Sequence, residues 1–188
     1  MMDLTPQPAV FFDRDGVLIE TEVRNGKPYA IKDVKDLVIL PDAFAVIDQF
    51  KQAGYKIIVV TNQPDVGNGL VAQSSVEEIN NTLLGELQID LIKVCYHKQG
   101  SGCNCRKPNT GMFTEAAAQL NIDLANSIMI GDRSSDIQAG QAAGCFTIFI
   151  DYGYNESLMV RPDLIVSSLT EVLKVNFKGV KSYGSSEC

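Results

Sequence analysis

The sequence predicts an α/β fold, a Rossmann-like three-layer sandwich in which helices cover both faces of a mainly parallel sheet. Three observations carry this. Short apolar, β-branched runs alternate with helix-period segments along the chain, and such alternation joins parallel strands through right-handed crossovers. The runs are continuous rather than alternating apolar and polar, as in strands buried on both faces. Several of them end in Asp, Thr or Gly, at the edge where open α/β sheets place ligands. The 188 residues suffice for one core, and the even spread of apolar residues predicts a single domain over 1–175, followed by a flexible tail over 176–188.

The first strand is Ala9-Val10-Phe11-Phe12, which runs into Asp13-Arg14-Asp15-Gly16 and so brings two carboxylates to a strand end. The same ten residues also suit a surface turn rich in Asp and Gly. Residues 19–40 are long, polar and irregular, with a turn at Asn25-Gly26-Lys27-Pro28. A connection of that length is either a flap carrying Tyr29 over the Asp13 site or a plain surface excursion. Asp42–Ala53 reads as a helix with Phe44, Ile47 and Phe50 on one face and Gly54 after its end.

A second strand, Tyr55–Val60, leads into Thr61-Asn62-Gln63-Pro64. Ser74–Leu87 forms a helix with Ser74 or Ser75 as its cap. Leu91–Tyr96 is a third strand, Asn109–Leu120 an Ala-rich helix, and Ser127–Ile130 a fourth strand ending in Gly131-Asp132-Arg133-Ser134-Ser135-Asp136. A helix through Ala143 stops at Gly144, Phe146–Ile150 is a fifth strand, Leu164–Val166 a short sixth, and Leu169 to about Val175 the last helix.

Composition narrows the function. A net charge of −7 and a pI near 4.7 argue against a basic patch for nucleic acid or a membrane surface. The chain has no apolar run of roughly 18 residues and no signal-peptide pattern at its start, so a cytoplasmic protein, monomeric and acting on a small molecule, is expected.

Strands ending near Asp13, Thr61 and Asp132, with Lys107 opening a helix at the same edge, bring four polar groups together. Three clustered acids, Asp13, Asp15 and Asp132, repel one another unless a cation neutralises them, and hard oxygen ligands suit Mg²⁺. Such a cation draws an anion, and Lys107, the Thr61 hydroxyl and the amides after Thr61 are suited to phosphate oxygens. A carboxylate beside bound phosphate can attack phosphorus, and a second one, two residues on, can protonate the leaving alcohol and later deprotonate water.

Asp13-Arg14-Asp15-Gly16-Val17, Thr61-Asn62, Lys107 and Gly131-Asp132-Arg133-Ser134-Ser135-Asp136 resemble, in order, the four motifs of the haloacid dehalogenase superfamily of phosphatases. The resemblance spans roughly residues 9–150. It implies Asp13 as nucleophile and Asp15 as general acid/base. Thr61 and Lys107 would hold the phosphoryl group, with Asn62 and Arg106 among the substrate-binding residues. Mg²⁺ would sit on Asp13, the Asp15 main-chain carbonyl and Asp132, supported by Asp136 and Arg133.

The five cysteines are an odd count in a chain without a signal peptide, and three of them, Cys95, Cys103 and Cys105, cluster with the only histidine, His97. The paired one-residue gaps let both halves fold over one tetrahedral ion, with Gly100-Ser101-Gly102 permitting the turn, so the set predicts a structural Zn²⁺. The alternative is separate free thiols and a solvated imidazole. Cys145 is expected in the core and Cys188 as a free thiol of the tail.

The cluster followed by Cys103-Asn104-Cys105-Arg106-Lys107-Pro108 is similar to the family of D-glycero-D-manno-heptose 1,7-bisphosphate 7-phosphatases and histidinol-phosphate phosphatases, which lack a large cap domain. That family implies the strand order 5-4-1-2-3. The heptose enzymes usually carry Arg where this chain has Asn68; Arg106, with Lys27 or Lys98, is then left to hold a distal phosphate. The expected activity is Mg²⁺-dependent removal of the 7-phosphate of a heptose bisphosphate. Histidinol phosphate as substrate, or a non-enzymatic phosphate-binding domain, are the alternatives.

Overall fold

The computed structural model describes residues 5–177. The central sheet is built from β1 (Ala9–Phe12), β4 (Lys56–Asn62), β5 (Leu91–Cys95), β6 (Ile128–Gly131), β7 (Phe146–Ile150) and β8 (Leu164–Val166). Their order is β5-β4-β1-β6-β7-β8, and every neighbouring pair is parallel. In chain order of these strands this is the expected 5-4-1-2-3, with the sixth strand added beside the fifth.

Burial on both faces follows from the pleat. Val10, Phe12, Ile57 and Val59 point to one side, where they meet α1 (Pro41–Gln52), α3 (Gln73–Glu86) and α6 (Leu169–Val172). Ala9, Phe11, Ile58 and Val60 point to the other, against α4 (Gly111–Leu120). Ala139 of α5 (Ser134–Ala142) joins that second layer. Phe11 and Phe113 stack at 4.7 Å between ring centres, tying β1 to α4. Each β1 side chain therefore loses contact with water whichever way it points, a burial stabilising by about 1.5–3 kcal/mol per large apolar side chain.

Several local expectations are corrected. In α1 the buried residues are Ala43, Val46, Ile47 and Phe50, an i, i+3, i+4, i+7 stripe. Phe44 lies off that stripe and is 42% exposed. Helix α3 starts at Gln73 after Ala72, with no side-chain cap, rather than at Ser74 or Ser75. The next helix begins at Gly111 rather than Asn109, since residues 106–109 turn back to bring Lys107 inward, Asn109 N–H donating to the Arg106 carbonyl at 2.8 Å. Helix α6 ends at Val172. Strand β4 runs through Thr61 and Asn62, and a single turn, α2 (Pro64–Gly67), follows it.

Residues 19–40 are not irregular. They hold an antiparallel hairpin, β2 (Glu22–Arg24) and β3 (Lys27–Tyr29), joined by Asn25-Gly26, whose positive φ values of 51° and 73° suit a two-residue hairpin turn. A 3₁₀ turn, Val34–Asp36, follows, capped by the Asp33 carboxylate. The excursion closes at its base, where Leu40 N–H donates to the Leu18 carbonyl at 2.9 Å. Among the described residues no helix is long and apolar enough to cross a membrane. Most of the expected tail, with Cys188, lies outside the described residues; Cys145 is buried as expected.

Candidate active site

The carboxyl ends of β1, β4 and β6 meet at one point. Asp13 follows β1 directly and is 7% exposed; Thr61 near the end of β4 and Asp132 just after β6 are each 1% exposed. Lys107 enters from the turn before α4, and its Nζ donates to Asp13 Oδ1 at 2.8 Å, Asp136 Oδ1 at 2.7 Å and the Val60 carbonyl at 2.6 Å. Asn62 fixes that turn by a reciprocal pair with the Lys107 backbone, accepting its N–H and donating to its carbonyl, both at 3.1 Å. Asn62 thus holds the Lys107 backbone and also lines the cavity described below.

Asp13, Asp132 and Asp136 each offer an oxygen within 4.8 Å of the others. Asp136 is engaged, by Lys107 on one oxygen and by the Arg133 N–H at 3.0 Å on the other. Both oxygens of Asp132 are buried without a hydrogen-bond partner. One ammonium against three carboxylates leaves two negative charges unbalanced, and orphaned buried carboxylate oxygens are expensive unless a cation meets them. A hard divalent cation fits this donor set.

The electrostatics agree. Burial, aided by Asp136 and Asp15, raises Asp13 to about 7 against the pull of Lys107. Burial first, then Asp13 and Asp136, raises Asp132 well above the carboxylate range. Burial works against the charge on Lys107, but Asp13 and Asp136 outweigh it and hold its pKa above normal. Room for the acids comes from glycine. A Cβ on Gly16 would stand 2.3 Å from Asp132 Oδ2, and one on Gly131 would stand 2.3 Å from the Asp136 Cβ.

Asp15 sits apart from the acidic cluster, its side chain held by Arg14 and by Gln63, whose Nε2 donates to Asp15 Oδ2 at 2.7 Å and to Thr61 Oγ1 at 2.9 Å. Above these groups opens a cavity of about 430 Å³. Asp13, Asp15, Thr61 and Lys107 line it, together with Arg106 and Lys27. Arg106 Nη1 is buried and has no partner. Lys27 and Tyr29 come from the hairpin, which is therefore placed as a flap, whereas Lys98 and Asn68 do not line the cavity. Arg133 pairs with Glu156, whose other oxygen accepts the Ser134 N–H at 3.2 Å.

The cysteine–histidine set also converges. Cys95 Sγ lies 3.2 Å from Cys105 Sγ and 3.7 Å from Cys103 Sγ, and His97 Nδ1 lies 3.2 Å from Cys105 Sγ. Four donors this close match the roughly 3.7 Å edge of a tetrahedron with zinc–thiolate bonds near 2.3 Å. The Cys103 thiol, held by Ser101, falls to about 6, while burial pushes Cys105 to about 12. The site abuts α2, for a Cβ on Gly67 would stand 2.5 Å from the Lys98 nitrogen and the Tyr96 oxygen.

Four residues that sequence reasoning gave no role stand at this site. Arg14 and Gln63 were visible inside the motifs, but nothing local says that they turn toward Asp15. Asn80 lies on α3, and Tyr154 lies beside Asp132 and Thr21, its phenol pushed up by burial and by the Asp132 charge. Neither has a signal in its own neighbourhood of the chain.

A family model described as HAD-hydrolase-like matches residues 104–172. The D-glycero-β-D-manno-heptose-1,7-bisphosphate 7-phosphatase of Vibrio cholerae is 34% identical over 153 residues, covering 75% of this chain and 79% of that protein. The D-glycero-α-D-manno-heptose-1,7-bisphosphate 7-phosphatase of Campylobacter jejuni is 33% identical over 147 residues, covering 76% of this chain and 81% of that protein. A crystal structure of D,D-heptose 1,7-bisphosphate phosphatase from B. bronchiseptica, complexed with magnesium and phosphate, superposes with a TM-score of 0.73 at 25% identity, over 89% of this chain and 96% of that one. The chain thus belongs to the haloacid dehalogenase-like phosphatases, in the family of D-glycero-D-manno-heptose 1,7-bisphosphate 7-phosphatases.

Proposed function

We propose that this protein removes the 7-phosphate of a D-glycero-D-manno-heptose 1,7-bisphosphate with Mg²⁺, through an aspartyl-phosphate on Asp13. The observation that carries the reading is the pair of unpartnered Asp132 oxygens beside Asp13 and the fully engaged Lys107. Mg²⁺ would be held by Asp13, Asp132 and the Asp15 main-chain carbonyl, with Asp136 keeping Lys107 and the start of α5 in place. When bound it neutralises the acids and the phosphoryl oxygens.

The chain's own groups supply the rest. A carboxylate oxygen of Asp13 attacks phosphorus, forming an O–P bond as the bond to the sugar oxygen breaks. Asp15 gives its proton to that departing oxygen, then takes one from the water that attacks the phosphoenzyme, releasing inorganic phosphate and restoring Asp13. The Thr61 hydroxyl donates to the transferred group, while the Lys107 ammonium, its three protons already on Asp13, Asp136 and the Val60 carbonyl, supplies positive charge beside it.

The preference for a bisphosphate rests on Arg106 and Lys27. Both line the same cavity as Asp13 and Lys107, and two cations there beyond the catalytic lysine favour a substrate with a second anionic group. Zn²⁺ on Cys95, His97, Cys103 and Cys105 would fix the turn that carries Arg106 and Lys107.

Product analysis by ³¹P NMR tests the regiochemistry. The C7 phosphate signal should vanish while the C1 phosphate persists, and loss of the C1 phosphate instead would overturn the assignment. Arg106→Ala should raise KM for the bisphosphate by about tenfold or more, in line with a charge-assisted contact of roughly 1.5–3 kcal/mol, with kcat changed less.

A further inference from the structure

Arg14 is the largest fully buried side chain of the described residues, and the chemistry above leaves it without a task. Its guanidinium forks onto the Asp15 carboxylate, Nε 3.0 Å from Oδ2 and Nη2 3.1 Å from Oδ1. The third nitrogen, Nη1, donates to Asn80 Oδ1 at 2.9 Å. Asn80 is itself 6% exposed, a polar side chain inside the buried stripe of α3 among Val76, Ile79 and Leu83. From its other side Asp15 receives Gln63 Nε2 at 2.7 Å.

A carboxylate gripped by a planar fork keeps both its position and the tilt of its plane, and a proton donor works only within hydrogen-bond reach of its target. The fork is only as fixed as the guanidinium. That plane is pinned at its far end by one acceptor, the Asn80 amide oxygen. Without it, a buried N–H is left unsatisfied, and the guanidinium relaxes toward another acceptor and carries Asp15 with it. Asn80 is neutral, so it fixes Arg14 without competing with Asp15 for its charge.

We propose that Asn80 is a positioning residue for proton transfer: acting through Arg14, it sets the orientation in which Asp15 protonates the leaving oxygen. This rests on the reading of Asp15 as the general acid. The effect belongs to leaving-group departure and not to phosphate binding. It therefore grows with the basicity of the leaving oxygen.

Two probes independent of the natural substrate separate these steps. p-Nitrophenyl phosphate expels a stabilised anion that needs little protonation, and phenyl phosphate expels a more basic one that needs more. The readout is the ratio of kcat/KM for phenyl phosphate to that for p-nitrophenyl phosphate, since kcat/KM covers the steps through departure. Asn80→Leu should lower this ratio by about tenfold, a part of the 10²–10⁴ available to general acid catalysis. Asn80→Gln, which keeps a neutral amide oxygen as acceptor, should restore most of it. Where Asn80→Leu does not fold, Asn80→Ser, too short to reach Nη1, carries the same expectation.

Asp15→Asn is the control. If its ratio does not fall, the reading of Asp15 as general acid fails. If its ratio falls while the Asn80 variants lower both substrates alike, or lower neither, the positioning role of Asn80 is overturned and its contact with Arg14 is structural only.

Discussion

Asp13 meets opposing demands at the scale of a single residue: it must be ionised to attack phosphorus, yet burial beside Asp136 and Asp15 raises it to about 7. Lys107 alone does not offset this, which is why the site suits a divalent cation. Asp13→Asn should leave the fold intact and cut turnover by roughly 10⁴-fold or more, as for other deleted nucleophiles, measured as phosphate release beside an unchanged circular dichroism spectrum. Gly16→Ala tests the space around the acids. At φ +87°, with the new Cβ 2.3 Å from Asp132 Oδ2, the substitution should cost about 1–3 kcal/mol of stability and weaken Mg²⁺ affinity by calorimetry. At this scale the sequence was informative where chemistry sits on strand ends. Asp13, Thr61 and Asp132 follow apolar runs whose direction is readable, and Lys107 follows the cysteine cluster. Arg14, Gln63 and Asn80 were not readable as a group, because their meeting depends on how α3 packs on the sheet.

At the scale of elements, the zinc-type loop and the hairpin are the two pieces that shape the cavity. The loop abuts α2 at Gly67, so its order reaches the turn after Thr61 as well as Lys107. Cys105→Ser should lower the melting temperature and abolish one equivalent of zinc in native mass spectrometry; a fully folded, zinc-free wild-type protein would contradict the assignment. Structural zinc of this kind contributes on the order of 10 kcal/mol of apparent folding energy, so the loss should exceed that of an ordinary surface substitution. The hairpin was the element least legible in sequence. Its strands have three residues each and mostly exposed side chains, so they lack the apolar run that reveals a buried strand. Only the Asn25-Gly26 turn signalled it. The sheet strands were legible because both of their faces are buried, whereas helix ends shifted by a few residues where no side chain caps them, as at Ala72.

For the molecule as a whole, the acidic cluster links stability to pH and metal. A carboxyl whose folded pKa is raised stabilises the fold while protonated, below its ordinary pKa of 3.8, and that contribution is lost as pH rises through the folded value of about 7. Asp132, also raised, adds in the same direction. Without Mg²⁺ this contribution should fall between about pH 4 and 7, and the rise in melting temperature on adding Mg²⁺ should be larger at pH 8 than at pH 5. Asp13→Asn should flatten that difference. Arg106 and Lys27 line the same cavity, and under the proposed function their charge extends this logic to substrate choice.

The most direct measurement is therefore kcat/KM for phosphate release with Mg²⁺ from both anomers of heptose 1,7-bisphosphate, fructose 1,6-bisphosphate and histidinol phosphate. One heptose anomer should exceed the other substrates by about a hundredfold, close to 2.7 kcal/mol of transition-state discrimination. Preference for histidinol phosphate, or release from none of the four, would contradict a site built around two phosphates.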